Sequence, residues 1–367
     1  LMSWLYSKIK FFDIPLLIVS GLLLASGLAI QYAISLGEGN LQIFYRQFLY
    51  AIAGIGAFIL VANYNYQLLS KHNRVAYGLL ILALIYLLLF GDPIRGSARW
   101  IDFGFFQLQP AELAKIIIAI GLAKWLSVNR GQINSWWNFL LTFIYAAIPA
   151  GLIFFEPDLG SSAIVMIVWF GIILLSPLKK SFILIFLVIA IILAGLSWQF
   201  LARDYQKERV EVFLQPDKDP RGKGYNVRQA IIAVGSGQWF GRGLGQGVQS
   251  GLKFLPEKHT DFVFAASSEE IGLIGSGSIL ILFYILFSRF LVIMKKARDD
   301  LSTYIIAGIL FLFASQAVIN IAMNIGLLPV TGIPLPLISY GGSSMLVTAI
   351  ALGIAQNIAK QSQVLRF

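Results

Sequence analysis

Residues 14–35 read IPLLIVSGLLLASGLAIQYAIS and contain no charged side chain. A helix needs about 20 apolar residues to cross the hydrocarbon core of a bilayer, so this run has the length of one span. Lys8 and Lys10 precede it, as they would precede a secretory signal. The apolar core of a signal peptide is only about 7–15 residues long, however, so we expect a retained first transmembrane helix.

The composition extends this expectation to the whole chain. Of 367 residues 58% are hydrophobic and 13% charged, with a mean hydropathy of +0.78. A soluble domain carries about 25% charged residues, so we expect an all-α, polytopic integral membrane protein. The chain has no cysteine, and its two histidines are His72 and His259. This excludes disulfides, thiolate metal sites and a histidine-rich metal centre.

Apolar blocks of span length recur along the chain, and we read ten transmembrane helices in a single domain, 1–367. The predicted spans are 14–35, 44–63, 75–90, 110–128, 139–155, 160–176, 181–201, 268–294, 303–326 and 343–360.

Basic residues predict the orientation, because lysine and arginine mark the cytoplasmic side of short loops. They concentrate at both termini and in the even-numbered connections, whereas the odd-numbered ones hold Arg46, Arg95 and Arg99. We therefore expect both termini in the cytoplasm and the long segment 202–267 outside. The net charge of +10 follows from this distribution and does not indicate a nucleic-acid surface.

The outer segment contains more than a linker. Val227, Ala230, Ile231 and Val234 recur at helical spacing, which predicts a short helix lying on or dipping into the membrane surface. The glycine-rich stretch 235–251 spells neither GxGxxG nor a P-loop, so it predicts no nucleotide site.

Charged side chains inside a span are costly and mark functional candidates. Glu112 and Lys115 stand at i and i+3, where they share a helix face and can pair. They form either a structural ion pair that ties helices together or the wall of a polar pocket, in which Lys115 attracts an anionic ligand.

Two outer loops carry further charge. EPDLG (156–160) either ends one helix and N-caps the next through Asp158, or places two carboxylates where they bind a cation or orient Lys115. Arg95 and Arg99 have the fork geometry that suits phosphate oxygens. Trp100 beside them is equally typical of a membrane-interface anchor.

The stretch LPEKHTDFVF (255–264) ends the long outer segment and enters the eighth predicted span. We expect Asp261 at the water–lipid boundary, where partial burial raises the pKa of a carboxylate and makes it a better base. A helix N-cap formed by Thr260 or Asp261 fits the spacing equally well.

The last outer loop, 332–344, has no charge and is rich in proline and glycine. Irregular backbone at membrane depth is tolerated where it lines a cavity, so this loop is either re-entrant, with its amides and hydroxyls facing a ligand, or a tight turn. From these residues alone, a transporter and a membrane transferase are equally compatible with the chain.

Five motifs in order resemble the SEDS family of bacterial cell-wall proteins, the RodA/FtsW/SpoVE group, over essentially the whole chain. They are GSARW (96–100), QPAELAK (109–115), EPDLG (156–160), FLPEKHTDF (254–262) and LISYGGSS (337–344). Two stretches, 243–256 and 323–336, are most similar to the RodA branch, which serves cell elongation and rod shape.

The resemblance implies a GT-C-like helical fold and a peptidoglycan glycosyltransferase at the outer face of the bacterial cytoplasmic membrane. Its substrate would be lipid II, a disaccharide-pentapeptide on undecaprenyl diphosphate. Its partners would be a class B penicillin-binding protein transpeptidase, other membrane proteins of the elongation complex and membrane lipid, with no nucleic acid.

The family's essential aspartate matches Asp261, which would act as general base in an inverting transfer. Positive groups would stabilise the departing diphosphate; Arg99, Lys115, Arg242 and Arg209 are the candidates. The remaining candidate substrate contacts are Trp100, Glu112, Asp158, His259, Ser339 and Ser343. No metal is assigned, although a divalent cation, Mg or Mn, could bridge the diphosphate through Asp158 or Glu156.

Two rival functions remain. A lipid II flippase would also use intramembrane Glu112 and Lys115. A scaffold without catalysis would use the apolar spans only to dock a transpeptidase.

Overall fold

The structure, a computed structural model, describes residues 12–91, 99–104, 106–130, 135–179, 181–186, 188, 211, 213, 223–251 and 254–364. Its helices and strands are α1 Ile14–Gly37, α2 Gln42–Asn63, α3 Tyr66–Phe90, β1 Ile101–Asp102, β2 Gln107–Leu108, α4 Pro110–Val128, α5 Trp136–Phe155, α6 Leu159–Leu175, α7 Lys223–Ser236, α8 Val248–Gly251, α9 Val263–Lys295, α10 Asp300–Asn324 and α11 Gly342–Val364.

The helical fold predicted from the apolar blocks is confirmed. Seven of the helices are long and apolar enough to cross a membrane, and α6 is a shorter apolar helix. The seventh predicted span, 181–201, lies largely outside the described residues, so the count of ten remains a prediction. The short helix predicted around Val227–Val234 is α7.

One predicted boundary is wrong by more than two turns. Helix α3 starts at Tyr66, not near residue 75, because Asn65 caps it by accepting a 2.9 Å hydrogen bond from the Gln67 amide. Hydropathy marks only the lipid-embedded part of a helix, whereas the cap marks where the backbone begins to turn.

Helices α10 and α11 form the inside of the bundle. Helix α11 lies along α2, and α10 packs against α4, α6 and α9. Small residues allow close approach: a Cβ at Gly308 would lie 2.7 Å from the Ala119 Cβ, as is common between membrane helices. The large apolar side chains of α2 and α3, such as Leu60 and Leu89, point outward and are 74% and 69% exposed.

Helix α9 is broken at Gly272, whose backbone is non-helical with φ 68° and ψ −169°. The segment 237–243 fits against the break. The amides of Arg242 and Gly243 donate to the Glu269 and Glu270 carbonyls at 2.9 and 3.1 Å. The amides of Leu273 and Ile274 donate to the Gln238 and Trp239 carbonyls at 2.8 and 3.1 Å. The neighbouring loop thus replaces hydrogen bonds that the break removes.

The loop between α10 and α11, residues 325–341, reaches well down the bundle. Its Leu337 carbonyl packs directly on Gly27, where any Cβ would collide with it, about 15 Å along α1 from its end at Gly37. Gln31 and Gln47 donate to the Ile338 and Ser339 carbonyls, each at 3.2 Å. These contacts favour the re-entrant interpretation of the loop over a tight turn.

Candidate functional site

Most predicted site residues gather at one end of the bundle, in two neighbouring groups. The Asp261 cluster consists of residues 258–261 with Gln31, Glu38, Asn320, Asn324 and Ser339. The Asp158 cluster consists of Arg99, Gln109, Glu156, Asp158 and Ser343. The residues of both clusters lie at or beside the C-terminal ends of α1, α5 and α10 and the N-terminal ends of α2, α4, α6, α9 and α11.

Asp261 precedes α9 but does not cap it. The N-cap residue is Phe262, and no side chain of its own makes a cap hydrogen bond. The N-cap role considered for Thr260 or Asp261 is therefore wrong. The Asp261 carbonyl accepts from Asn320 Nδ2 at 3.1 Å and from Asn324 Nδ2 at 2.9 Å, so the main chain of this residue is held from α10. Its side chain is only partly buried.

Lys258 and His259 anchor the Asp261 cluster to the C-terminal end of α1. Lys258 Nζ lies 2.8 Å from Glu38 Oε1 and also donates to the Ser250 carbonyl. His259 Nδ1 lies 2.8 Å from Gln31 Oε1, and its Nε2 lies 3.3 Å from Glu38 Oε2. Burial lowers the pKa of His259, although Glu38 opposes this. Both ring nitrogens of His259 thus lie within hydrogen-bond distance of protein side chains, and the substrate contact stays a prediction.

Glu38 stays ionised in this arrangement. Burial alone would raise its pKa, but the hydrogen bond and charge of Lys258, together with His259, lower the pKa below its ordinary value. A carboxylate shared by two basic side chains thus fixes two consecutive residues just before Thr260 and Asp261.

Ser339 joins the re-entrant loop to the same segment. Its Oγ donates to the Thr260 carbonyl at 2.6 Å and accepts from the Leu335 amide at 2.8 Å. The Tyr340 amide donates to the His259 carbonyl at 2.8 Å. Ser339 is therefore engaged by protein atoms, and its role here is to hold the loop beside Asp261.

The Asp158 cluster is built around the turn between α5 and α6. Asp158 caps α6: its Oδ1 accepts from the Ser161 amide and its Oδ2 from Gln109 Nε2, each at 3.0 Å. This confirms the N-cap interpretation of EPDLG. Ser343 Oγ accepts from the Gln109 amide at 3.0 Å and donates to the Gln107 carbonyl at 2.6 Å, which ties α11 to the hairpin and to α4.

Arg99 lies against the same turn. Its Nε donates to the Glu156 carbonyl at 3.3 Å, and its Nη2 donates to the Pro157 carbonyl. A guanidinium has five N–H donors, so these bonds orient the group without using all of them. Trp100, next in the chain, is half-buried. Arg95 and residues 96–98 of the motif lie outside the described residues.

Glu156 is 3% exposed, and neither of its carboxyl oxygens has a hydrogen-bond partner among the described residues. Burial and, to a smaller extent, the charge of nearby Asp158 raise its pKa to about 8, although Arg99 acts in the opposite direction. The side chain is therefore mostly neutral at pH 7, and it is the one acid of this turn whose oxygens no described protein group occupies.

Glu112 and Lys115 form the ion pair expected from their spacing. Both are buried, with 3% and 1% exposure, and Lys115 Nζ contacts Glu112 Oε1. They lie in the first two turns of α4, directly after Gln109. The pair confirms the predicted contact; whether Lys115 also meets an anion is untested by this geometry.

The two clusters meet through the re-entrant loop. A Cβ at Gly160 would lie 2.8 Å from Ile333 Cγ1 and 2.9 Å from the Thr331 carbonyl, and a Cβ at Gly332 would lie 3.6 Å from Asp261 Oδ2. Gly160, which follows Glu156 and Asp158, thus lies against Thr331 and Ile333, and Gly332 between these two residues lies beside the Asp261 carboxyl.

Arg242 is not brought into either cluster. Its side chain is exposed, and its backbone amide donates to the Glu269 carbonyl near the break in α9. Arg209 lies outside the described residues. Across the part of the chain that the structure covers, no group of three or more histidine, cysteine, aspartate or glutamate side chains is placed to hold a metal ion.

Sequence reasoning missed several residues that build the site. Four of these residues have uncharged amide side chains inside a span, and the fifth is a carboxylate at the end of one. They are Gln31, Gln47, Asn320 and Asn324, with Glu38 as the carboxylate. The signal was present, because Gln316, Asn320 and Asn324 recur every four residues on one face of a mostly apolar helix. At the opposite end of the bundle, the partly buried Asp13–Arg289 ion pair was also missed.

The arrangement has the parts of a group-transfer site. A partly buried carboxyl on a rigidly held main chain can remove a proton. A guanidinium and an ammonium lie in the adjoining elements, where positive charge can stabilise an anionic leaving group.

Comparison with known proteins gives consistent results. The family model of FtsW, RodA and SpoVE, described as cell cycle protein, matches residues 8–364. The chain is 34% identical over 354 residues to the peptidoglycan glycosyltransferase MrdB of Escherichia coli K12, covering 96% of this chain and 94% of that protein. It is 34% identical to the probable peptidoglycan glycosyltransferase FtsW of Pseudomonas fluorescens, covering 94% of this chain and 85% of that one.

Two solved structures share the fold. One is a chain of a peptidoglycan synthase complex in which polymerization and crosslinking are coordinated. It aligns with a TM-score of 0.83 at 26% identity, over 96% of this chain and 98% of that chain. The other is the rod shape determining protein RodA of Thermus thermophilus. It aligns with a TM-score of 0.72 at 23% identity and the same coverage, and supports the fold alone.

Proposed function

Because the chain belongs to the FtsW/RodA/SpoVE family of multi-span membrane proteins, we propose that it is a peptidoglycan glycosyltransferase that polymerises lipid II. Its relatives carry that activity in their names. The substrate's polyprenyl chain accounts for an enzyme embedded in lipid, with the reacting sugars at the aqueous end of the bundle. We place that end at the outer face of the cytoplasmic membrane, with both termini in the cytoplasm.

Asp261 is the proposed general base. Extension of a β1–4 strand from an α-linked donor is an inversion, so one sugar hydroxyl displaces the lipid diphosphate directly and its proton passes to the carboxylate. General-base assistance is typically worth about 10²–10⁴-fold in rate. The observation that carries this proposal is the fixed main chain of Asp261, held by Asn320 and Asn324, with a side chain that does not cap α9.

Arg99 and Lys115 are the proposed stabilisers of the departing diphosphate. Arg99 is oriented by two backbone carbonyls, and Lys115 is paired with Glu112. Arg99 lies against the turn 156–158, and Lys115 lies on α4, which packs against α6 directly after that turn. Exposed Arg242 is a weaker proposal, since it lies at the break in α9. Trp100 and Ser343 would border the same space.

A divalent cation, Mg or Mn, remains part of the proposal only through Glu156. Both oxygens of Asp158 already accept hydrogen bonds, whereas those of Glu156 have no partner among the described residues. A cation there would lower the pKa of Glu156 and bridge it to diphosphate oxygens.

We place the enzyme in cell elongation, with a class B penicillin-binding protein as partner. The shared fold with a chain of a peptidoglycan synthase complex supports a partnered enzyme. The elongation role rests on the two RodA-like stretches, 243–256 and 323–336.

The test is polymerisation of purified lipid II by the chain with its transpeptidase partner, comparing wild type with Asp261→Asn. We expect glycan strands from the wild type and a loss of at least about 100-fold in the variant, because an amide cannot accept the proton. Asp300→Asn, the same charge change at the opposite end of the bundle, is the matched control and should retain activity.

Normal polymerisation by Asp261→Asn would reject the base. Translocation of labelled lipid II by the wild type in proteoliposomes without any polymer would favour the flippase instead. Wild-type growth of cells that carry Asp261→Ala would favour the scaffold.

A further inference from the structure

The start of α9 is capped from another helix. Four amides at a helix start lack partners within the helix, and here Phe262, the N-cap residue, offers no side-chain acceptor. Asn324 Oδ1 accepts from the Ala265 amide at 2.9 Å, although the two residues are 59 positions apart. Both are fully buried, so this bond is shielded from water.

The same Asn324 side chain also holds the proposed base. Its Nδ2 donates to the Asp261 carbonyl at 2.9 Å and to the Asn320 carbonyl at 2.8 Å. Asn320, one turn earlier on α10, donates to the Asp261 carbonyl at 3.1 Å and to the Ile333 carbonyl at 2.8 Å. The side-chain oxygen of Asn324 thus accepts from an amide in the first turn of α9, and its nitrogen holds the main chain of Asp261, two residues before α9 begins.

This arrangement determines what the Asp261 carboxyl is able to do. An aspartate at a helix N-cap turns its carboxylate onto the first amides, and Asp261, one residue before the N-cap Phe262, is the nearest carboxylate in the chain to the first amides of α9. A carboxylate that accepts backbone N–H bonds is stabilised in its charged form and becomes a weaker base. Because the Ala265 amide already donates to Asn324 Oδ1, it does not need the Asp261 carboxylate as an acceptor.

We propose that Asn324 is a positioning residue for the glycosyl transfer, which caps α9 in place of Asp261 and thereby keeps the Asp261 carboxyl directed at the acceptor hydroxyl. The inference rests on the proposed function of Asp261 as base. Asn324 itself lies behind the Asp261 main chain and touches no substrate.

Two substitutions separate this role from simple packing. Asn324→Leu keeps the branching of the side chain but removes its hydrogen bonds to Ala265, Asp261 and Asn320, so the free Ala265 amide recruits the Asp261 carboxylate. We expect kcat to fall by about 10–100-fold, as misplacement of a reacting group by about 1 Å does, with KM for lipid II changed less than about twofold. The acid limb of the pH profile should move to lower pH, since the carboxylate gains amide donors.

Asn324→Asp keeps the acceptor for Ala265 but adds negative charge beside Asp261. The acid limb should move to higher pH, opposite to the leucine variant. The titratable side chains in the segments that hold Asp261 are Glu38, Glu257, Lys258, His259 and Tyr340; all are present in every variant, so they do not produce opposite shifts.

Ser315→Ala on α10 is the control, because Ser315 Oγ bonds only carbonyls of its own helix, and it should match the wild type. Co-purification with the partner and an unchanged elution volume establish that each variant is folded. If folded Asn324→Leu retains wild-type kcat, or the two variants shift the pH profile in the same direction, the positioning role is wrong.

The outcome for Asn324 is distinct from that for the function itself. A wild type that makes no polymer, or an active Asp261→Asn, rejects the proposed function. An active wild type with an inactive Asp261→Asn and an unaffected Asn324→Leu rejects only the role of Asn324.

Discussion

Burial sets the protonation state of Glu156, a carboxyl in the turn beside the proposed site. Its pKa rises to about 8 because the group is buried and Asp158 lies close, while Arg99 partly compensates. Buried carboxyls without hydrogen-bond donors favour the neutral form. The side chain therefore stores a proton at neutral pH unless a cation displaces it.

This protonation makes stability depend on pH. The unfolded pKa is near the ordinary value of 4.5, so between about pH 5 and pH 8 the folded state binds more protons than the unfolded state, and stability falls as pH rises. Glu156→Gln does not ionise and should remove a slope on the order of a few kcal/mol over that range. Thermal unfolding in detergent at several pH values measures it.

Glu257→Gln, at an exposed carboxyl, serves as control and should keep the wild-type slope. An unchanged slope in Glu156→Gln would show that Glu156 is not the proton-binding group.

The Glu112–Lys115 pair yields a second prediction at this scale. Lys115→Met leaves Glu112 as a buried, unpaired carboxyl and should destabilise the protein by about 3–5 kcal/mol. The double substitution Glu112→Gln/Lys115→Met removes both charges and should recover most of the stability. Denaturant or thermal unfolding in detergent measures this.

Polymerase activity of the double variant then distinguishes the two roles considered for Lys115. If Lys115 meets the diphosphate, the double variant stays inactive despite recovered stability. Recovered activity would show that the pair is structural only.

At the scale of elements, α9 and the segment 237–243 depend on each other. Gly272 has φ 68° and ψ −169°, a backbone region that is essentially restricted to glycine. A Cβ at Gly272 would collide with the Gly241 amide, and one at Gly241 would collide with the Glu270 carbonyl. Neither residue can change without separating the loop from the helix.

Gly272→Ala should therefore destabilise the fold by at least about 1–3 kcal/mol from backbone strain alone, with the collision in addition. Gly277→Ala, in the same helix with open space around it, is the matched control and should be neutral or slightly stabilising. Thermal unfolding of the two variants measures the difference, and equal values would contradict the break.

Sequence could predict the helices and the motif residues, because apolar span length and local spacing determine them. It identified Asp158 as a cap, the Glu112–Lys115 contact and α7 from nearest neighbours alone. It could not identify the cap on α9, since Asn324 and Ala265 are 59 positions apart. Nor could it assign the glycines of 235–251, whose purpose emerges only where they pack against the break at Gly272.

For the whole molecule, all residues of the two clusters lie at one end of the bundle, and the Asp13–Arg289 and Tyr66–Asp299 contacts lie at the other. The residues of the proposed site are thus confined to one end of the bundle. The positive-inside asymmetry predicts that the end with the clusters faces the outside.

Absence of cysteine makes that orientation testable. Single cysteines at exposed Asn40 and Gln246 should react with a membrane-impermeant maleimide in intact spheroplasts. A cysteine at exposed Arg298 should react only after permeabilisation. Labelling of Arg298→Cys in intact cells would reverse the assigned topology.

The break at Gly272 leaves residues 263–271 as a short helical segment that is separate from the rest of α9. This segment begins two residues after Asp261 and ends at the break, where residues 237–243 are bound to α9 through four backbone hydrogen bonds. We therefore expect a displacement of residues 237–243 to tilt this helical segment and to move the Asp261 carboxyl near its start.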